Sequence, residues 1–241
     1  MKIRSQEELE EAISRFGILP FFRNNIEGMS IEEMAPPSIL FGGNEYEGCW
    51  EWKGPVIRKR QCAYGKFFKK KAGYISNSLL PHFLNFRRNQ VSIKEGSKEE
   101  MIYDIIGIND KITSTELREG ILRTSASRKR TMYDLPDLSS SPDRKDSEGK
   151  KKPGRHALES PLQQLQMGGY ICISDFRYKK TKHGERYGWG VAEYSLPENI
   201  FPREMLFTDL SPNESLEFMI QYISERYPRS NYSEIRKLLS K

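Results

Sequence analysis

Eleven lysines and arginines, and no aspartate or glutamate, lie between Trp52 and Lys94. Such a segregated field attracts a polyanion. The rings interleaved with it (Trp52, Tyr64, Phe67, Phe68, Tyr74, Phe83 and Phe86) can stack on bases or fill a core beneath the charges. The chemistry on offer is the binding of nucleic-acid phosphates, with Lys53, Arg58, Lys59, Arg60, Lys66, Lys69, Lys70 and Lys71 as the candidate contacts. A second cationic group, Lys179, Lys180, Lys182 and Arg186 with His183, falls on a turn between two segments of strand character. Contacts of this kind supply affinity without reading base sequence. The first 51 residues are the opposite, with Lys2, Arg4, Arg15 and Arg23 against ten glutamates, although the whole chain is +6.

Reaction chemistry is sparser. Trp50-Glu51-Trp52 could give base excision its aromatic walls and its carboxylate, which makes Glu51 the candidate catalytic residue. Read as a strand, this triplet puts both tryptophans on one face and Glu51 on the other, the pattern of two core rings and a solvated acid. Gln164-Leu165-Gln166 is a second polar triplet, on a helix where both amides suit solvent or a groove. Cys49, Cys62 and Cys172 are an odd number with no C-x-x-C, and His82, His156 and His183 have no zinc-like spacing to them. They read as inert buried thiols. No P-loop, dinucleotide fingerprint or H-E-x-x-H occurs, so no cofactor and no metal is expected.

The elements that must position these residues are signposted locally. Ser5 with Glu8 caps a helix over about residues 6 to 16, ended by Gly17. Ser30 with Glu33 starts a short turn of helix that Pro36-Pro37 ends. From Gly42 to Ile75 the aromatic and β-branched residues, punctuated by Gly48, Gly54-Pro55, Gly65 and Gly73, predict short strands joined by turns, with Lys69-Lys70-Lys71 at a hairpin end. Residues 77 to 88 turn helical. Ser97 with Glu100 and Thr113 with Glu116 cap two further helices on either side of a short strand at Ile112.

Residues 124–156 are rich in Ser, Lys, Arg and Asp and cannot repay the entropy of ordering by themselves, so a flexible insertion is expected there. A third helix follows from about Ala157, with Ser160 and Pro161 as a possible late start, and strands at 170–178 and 187–194 flank the cationic turn. Helix, helix, helix and hairpin is the order of a winged-helix unit, in which the third helix reads DNA and the hairpin is the wing. Ser211 with Glu214 caps a C-terminal helix that packs back on the fold, with a last short helix after it.

The segments Tyr46 to Pro55, Ala63 to Phe68, Lys71 to Tyr74, Leu165-Gln166-Met167 and Tyr187 to Ala192 resemble a group of bacterial proteins described as AlkZ-related. That resemblance covers nearly everything outside 124–156, and it implies distant similarity to YcaQ-like winged-helix DNA glycosylases. In that superfamily a Gln-apolar-Gln or Gln-apolar-Asp motif soon after an N-terminal helix serves excision. Here the comparable place is Leu19-Pro20-Phe21-Phe22, without amide or carboxylate.

The expectation is therefore an α+β fold: an N-terminal helical and β-rich lobe (1–95), a winged-helix domain (96–196) and C-terminal helices (197–241) that pack back. Its function would be DNA binding linked to repair, on duplex rather than single-stranded DNA, with a monofunctional DNA glycosylase and a winged-helix protein-interaction module as the alternatives. No apolar run is long enough for a signal peptide or membrane span, so a cytoplasmic protein without membrane partner is expected, its oligomeric state left open.

Overall fold

A computed structural model describes residues 1–43, 47–128, 155–184 and 186–240. The caps behave as their spacing predicts. Ser5, Ser30, Ser97 and Ser211 each accept a hydrogen bond through Oγ from the amide three residues on. These bonds start α1 (Gln6–Phe16), α2 (Ile31–Met34), α6 (Lys98–Ile108) and α10 (Pro212–Arg226), satisfying amides that a helix start otherwise leaves open.

A three-stranded antiparallel sheet in the order β1-β3-β2 organises the first part of the chain: β1 (Ile18–Pro20), β2 (Cys62–Phe68) and β3 (Lys71–Ser76). Strand alternation divides its side chains between two cores. Leu19, Cys62, Tyr64 and Tyr74 pack with α1 and α4 (Cys49–Arg58) on one face. Ile18, Ala63, Phe67 and Ile75 pack with α5 (Leu80–Gln90), α10 and α11 (Tyr232–Leu239) on the other. The C-terminal helices thus supply half of the cover that a sheet buried on both faces needs.

The middle of the chain runs α6, β4 (Lys111–Thr113), α7 (Ser114–Arg128), α8 (Arg155–Met167), β5 (Cys172–Lys180) and β6 (Arg186–Ser195), the strands pairing antiparallel in the order β4-β6-β5. This is the winged-helix arrangement that the element order predicts. Ile102, Ile106, Leu117, Ile121, Leu158, Leu162 and Leu165 form its core. The rest of the fold comprises α3 (Pro37–Leu40), α9 (Pro197–Ile200) and a 3-10 turn at Arg203–Met205. Most of the expected insertion at 124–156 lies outside the described residues.

One local reading is corrected, and one alternative is decided. Residues 49–58 form a helix and not strands, because Cys49, Trp52, Lys53, Val56 and Ile57 recur at helical spacing and all are buried. The lysine within that stripe, with Gly54-Pro55 after it, hides the period. Helix α8 begins at Arg155, close to the expected start at about Ala157 rather than at the later alternative, so Pro161 sits inside it.

Candidate nucleic-acid interface

The acid-free stretch does not present one cationic face. Helix α4 turns Lys53 inward, leaving it 5% exposed, with its ammonium 3.4 Å from the centre of the Trp50 ring and 4.6 Å from that of Phe176. It therefore offers nothing to a phosphate, which corrects its place among the candidates. Arg87 is also fully buried, donating through Nη2 to the Phe67 carbonyl at 2.9 Å while Nε and Nη1 have no acceptor among the described residues.

Burial pushes the Lys53 ammonium down to about 8, against a smaller upward pull from the Glu51 carboxylate. Below pH 8 both the folded and unfolded chain hold this proton, so folding bears the full cost of burying the charge. Between about pH 8 and 10.5 only the unfolded chain holds it, and the cost fades. Lys53→Met is expected to be more stable than the parent at pH 7 by about 1–3 kcal/mol, the contact with Trp50 offsetting part of the penalty. In parallel urea titrations that gap should close as pH approaches 10.5. The thiols of Cys49 and Cys62, raised to about 12 by burial, act in the opposite sense but equally in both proteins.

Four of the remaining cations pair with acids from elsewhere in the chain. Arg58 reaches Asp175 at 2.7 Å, Lys59 reaches Glu10 at 2.7 Å, Lys66 lies 3.6 Å from Glu159, and Arg88 reaches Glu198 at 2.6 Å. Arg60 bonds the Ile200 carbonyl at 3.4 Å across a polar cleft of about 310 Å³ that Arg58, Lys111 and Asp175 also line. These partners lie far away in sequence, so no local signal could have shown them.

Among the described residues of this stretch, Lys94 stays open singly, and the one open cluster is the tip of the β2–β3 hairpin. Lys69 and Lys70 form its two-residue turn with φ of 47° and 67°, the positive values that a type I′ turn requires and that Asn-Gly adopts with little strain. Both are exposed, as is Lys71, whose ammonium approaches the Arg23 carbonyl at 3.4 Å. The sequence reading missed Arg23, an exposed cation beside this tip, because it lies within the acidic N-terminal region.

The second open group is the wing. Lys179, Lys180, Lys182 and His183 are exposed at its end. Arg186 pairs with Lys180 through the strand register, and its side chain lies outside the described residues. The base of the wing is fixed by Arg177, which bonds Glu116 at 2.5 Å and also pairs with Glu193. The Thr113 amide, ahead of Arg177, holds the Glu116 carboxyl down at about 2.

Helix α8 departs from the recognition-helix expectation. Pro161, Leu162, Leu165, Gln166 and Met167 are buried, and the helix packs against both α6 and β2. Gln166 accepts from the Lys66 amide at 2.9 Å and donates to the Leu162 carbonyl at 3.0 Å, so it covers the edge of β2. Glu159 and Ser160 stay exposed, a poor match to a phosphate backbone. Glu51, the candidate catalytic residue, accepts from the Gly48 amide at 3.0 Å and closes the start of α4. The three cysteines are buried and unpaired. No helix among the described residues is long and apolar enough to cross a membrane.

In a comparison with solved structures the chain is similar to the Streptomyces sahachiroi DNA glycosylase AlkZ, with a TM-score of 0.45 and 12% identity. The match covers 99% of this chain and 65% of that one, so the present chain spans somewhat under two thirds of its length. No curated protein matches. The sequence resemblance is borne out by a model of the family described as AlkZ related, which matches residues 3–240, and the protein belongs to that family.

Proposed function

We propose that this protein binds duplex DNA in the cytoplasm in a repair setting, gripping phosphates with the β2–β3 hairpin tip and the wing. On a division of the chain into 1–95, 96–196 and 197–241, the hairpin belongs to the first unit and the wing to the second. One observation carries the reading: among the described residues, once long-range ion pairs and burial are discounted, the open lysines cluster at two hairpin ends, Lys69 to Lys71 and Lys179 to Lys182, while Lys2, Lys94, Lys111 and Lys237 stand singly. Exposed cations on projecting turns suit a grooved polyanion, and they read charge and shape rather than sequence. Membership of the AlkZ-related family supports the repair setting. Excision gains no support from Glu51, since its carboxylate is engaged at a helix start.

The backbone of the tip supports the same reading. Two consecutive lysines in left-handed conformation cost stability that Asn-Gly would not, and strain of this kind persists where the side chains serve a purpose. The double variant Lys69→Asn/Lys70→Gly is expected to raise unfolding stability by about 1–2 kcal/mol and to weaken DNA binding. Fluorescence anisotropy with a labelled duplex at several salt concentrations measures the second effect. Six lysine contacts would give a salt slope of roughly 5 in log K, and the variant should lower it by about 2. A parent protein that ignores duplex DNA at low salt, or a variant with unchanged slope, would overturn the proposal.

A further inference from the structure

An aromatic patch adjoins the lysine tip. Phe41 keeps 55% of its surface open, and its ring centre lies 6.1 Å from that of the half-buried Trp50. Trp50 meets Phe21 edge to face at 5.4 Å, and Phe21 lies 5.1 Å from the half-buried Phe22. From there the chain leads directly to the cations. The Phe21 amide donates to the Ala72 carbonyl at 2.8 Å, extending the β1–β3 pairing, and the Lys71 ammonium donates to the Arg23 carbonyl at 3.4 Å, while the Arg23 amide donates to the Glu32 carboxylate at 2.7 Å. Phe22 is therefore bracketed by the ring cluster and the base of the Lys69–Lys71 tip.

A single exposed ring needs no explanation, but a graded set of rings beside open cations combines the two components of a site for unpaired bases. Lys53, packed against Trp50 from within, fixes that ring from beneath. We propose that Phe41, Trp50 and Phe22 stack unpaired nucleobases of a DNA strand whose phosphates are held by Lys69, Lys70, Lys71 and Arg23. The inference rests on the DNA-binding reading and deepens it. In an intact duplex the base faces are stacked on each other and hidden, so the patch can act only where bases are unpaired, as in a gap, an overhang or an extruded nucleotide.

The test uses the full chain and three labelled probes: a blunt duplex, the same duplex with a short single-stranded overhang, and that overhang built from base-free sugar phosphates. The last two carry equal backbone charge and differ in their bases alone. The parent should prefer the overhang that has bases. Phe41→Ala, at an exposed position where folding is little affected, should reduce that preference about 5- to 100-fold while leaving blunt-duplex affinity unchanged. Phe41→Trp should restore it. Equal affinity for overhangs with and without bases, or a preference that survives Phe41→Ala, overturns the stacking site while leaving duplex binding standing. Failure to bind all three probes at low salt overturns the DNA reading itself, and this inference with it.

Discussion

Charge reversal of the wing, Lys179→Glu/Lys180→Glu/Lys182→Glu, is expected to weaken duplex binding by about two orders of magnitude at low salt and to flatten the salt slope by roughly 3. The three side chains are exposed and sit beyond the point where Arg177 clamps β5 to Glu116 and Glu193. Their replacement therefore leaves the anchoring of the hairpin intact, and surface substitutions of this kind shift stability by only about 0.5 kcal/mol. Anisotropy titration alongside thermal unfolding separates the two effects. A duplex affinity that the triple variant retains would remove the wing from the interface and leave the β2–β3 tip alone.

Gly48→Ala is expected to cost about 3 kcal/mol or more, for a steric reason. Gly48 has ordinary extended backbone angles, but a methyl group placed on it would lie 2.2 Å from the Ile39 carbonyl oxygen and 2.3 Å from the Gly42 nitrogen. Those neighbours are main chain and cannot swing aside as a side chain could. Relief requires the backbone from Ile39 to Gly42 to part from Gly48 at the start of α4, which would draw Phe41 away from Trp50. Urea denaturation should report the instability, and the overhang preference measured for the parent should fall with it. Gly54 in the same helix provides the contrast, since its nearest neighbour is not main chain but the end of the Arg58 side chain, paired with Asp175, at 3.3 Å. A Gly48→Ala protein within about 0.5 kcal/mol of the parent would show that the close approach is not required.

Signals carried by a few adjacent residues could be read from the chain. The Ser–Glu caps, the hairpin end at Lys69 to Lys71 and the helix–helix–helix–hairpin order all depend on neighbours within a turn or two. Helix α4 escaped for a local reason as well. Its stripe of Cys49, Trp52, Val56 and Ile57 is interrupted by Lys53 and punctuated by Gly54-Pro55, so a helical period looked like a set of turns. The burial of Lys53 follows from the rings that cover it, and Phe176 belongs to a different element.

By itself the sequence determined where charge is segregated, how most elements start and which turns carry lysines, because these follow from composition and short-range hydrogen bonding. Only the tertiary structure decided which cations remain available. Glu10, Asp175 and Glu198 come from distant elements to pair with Lys59, Arg58 and Arg88. Gln166 closes α8 against β2, withdrawing from solvent the helix that the element order marks for the groove. Electrostatic partners and packed faces are chosen by chain segments that meet in space, so a stretch without acids can still be partly paired, and among the described residues the free lysines cluster at two turns.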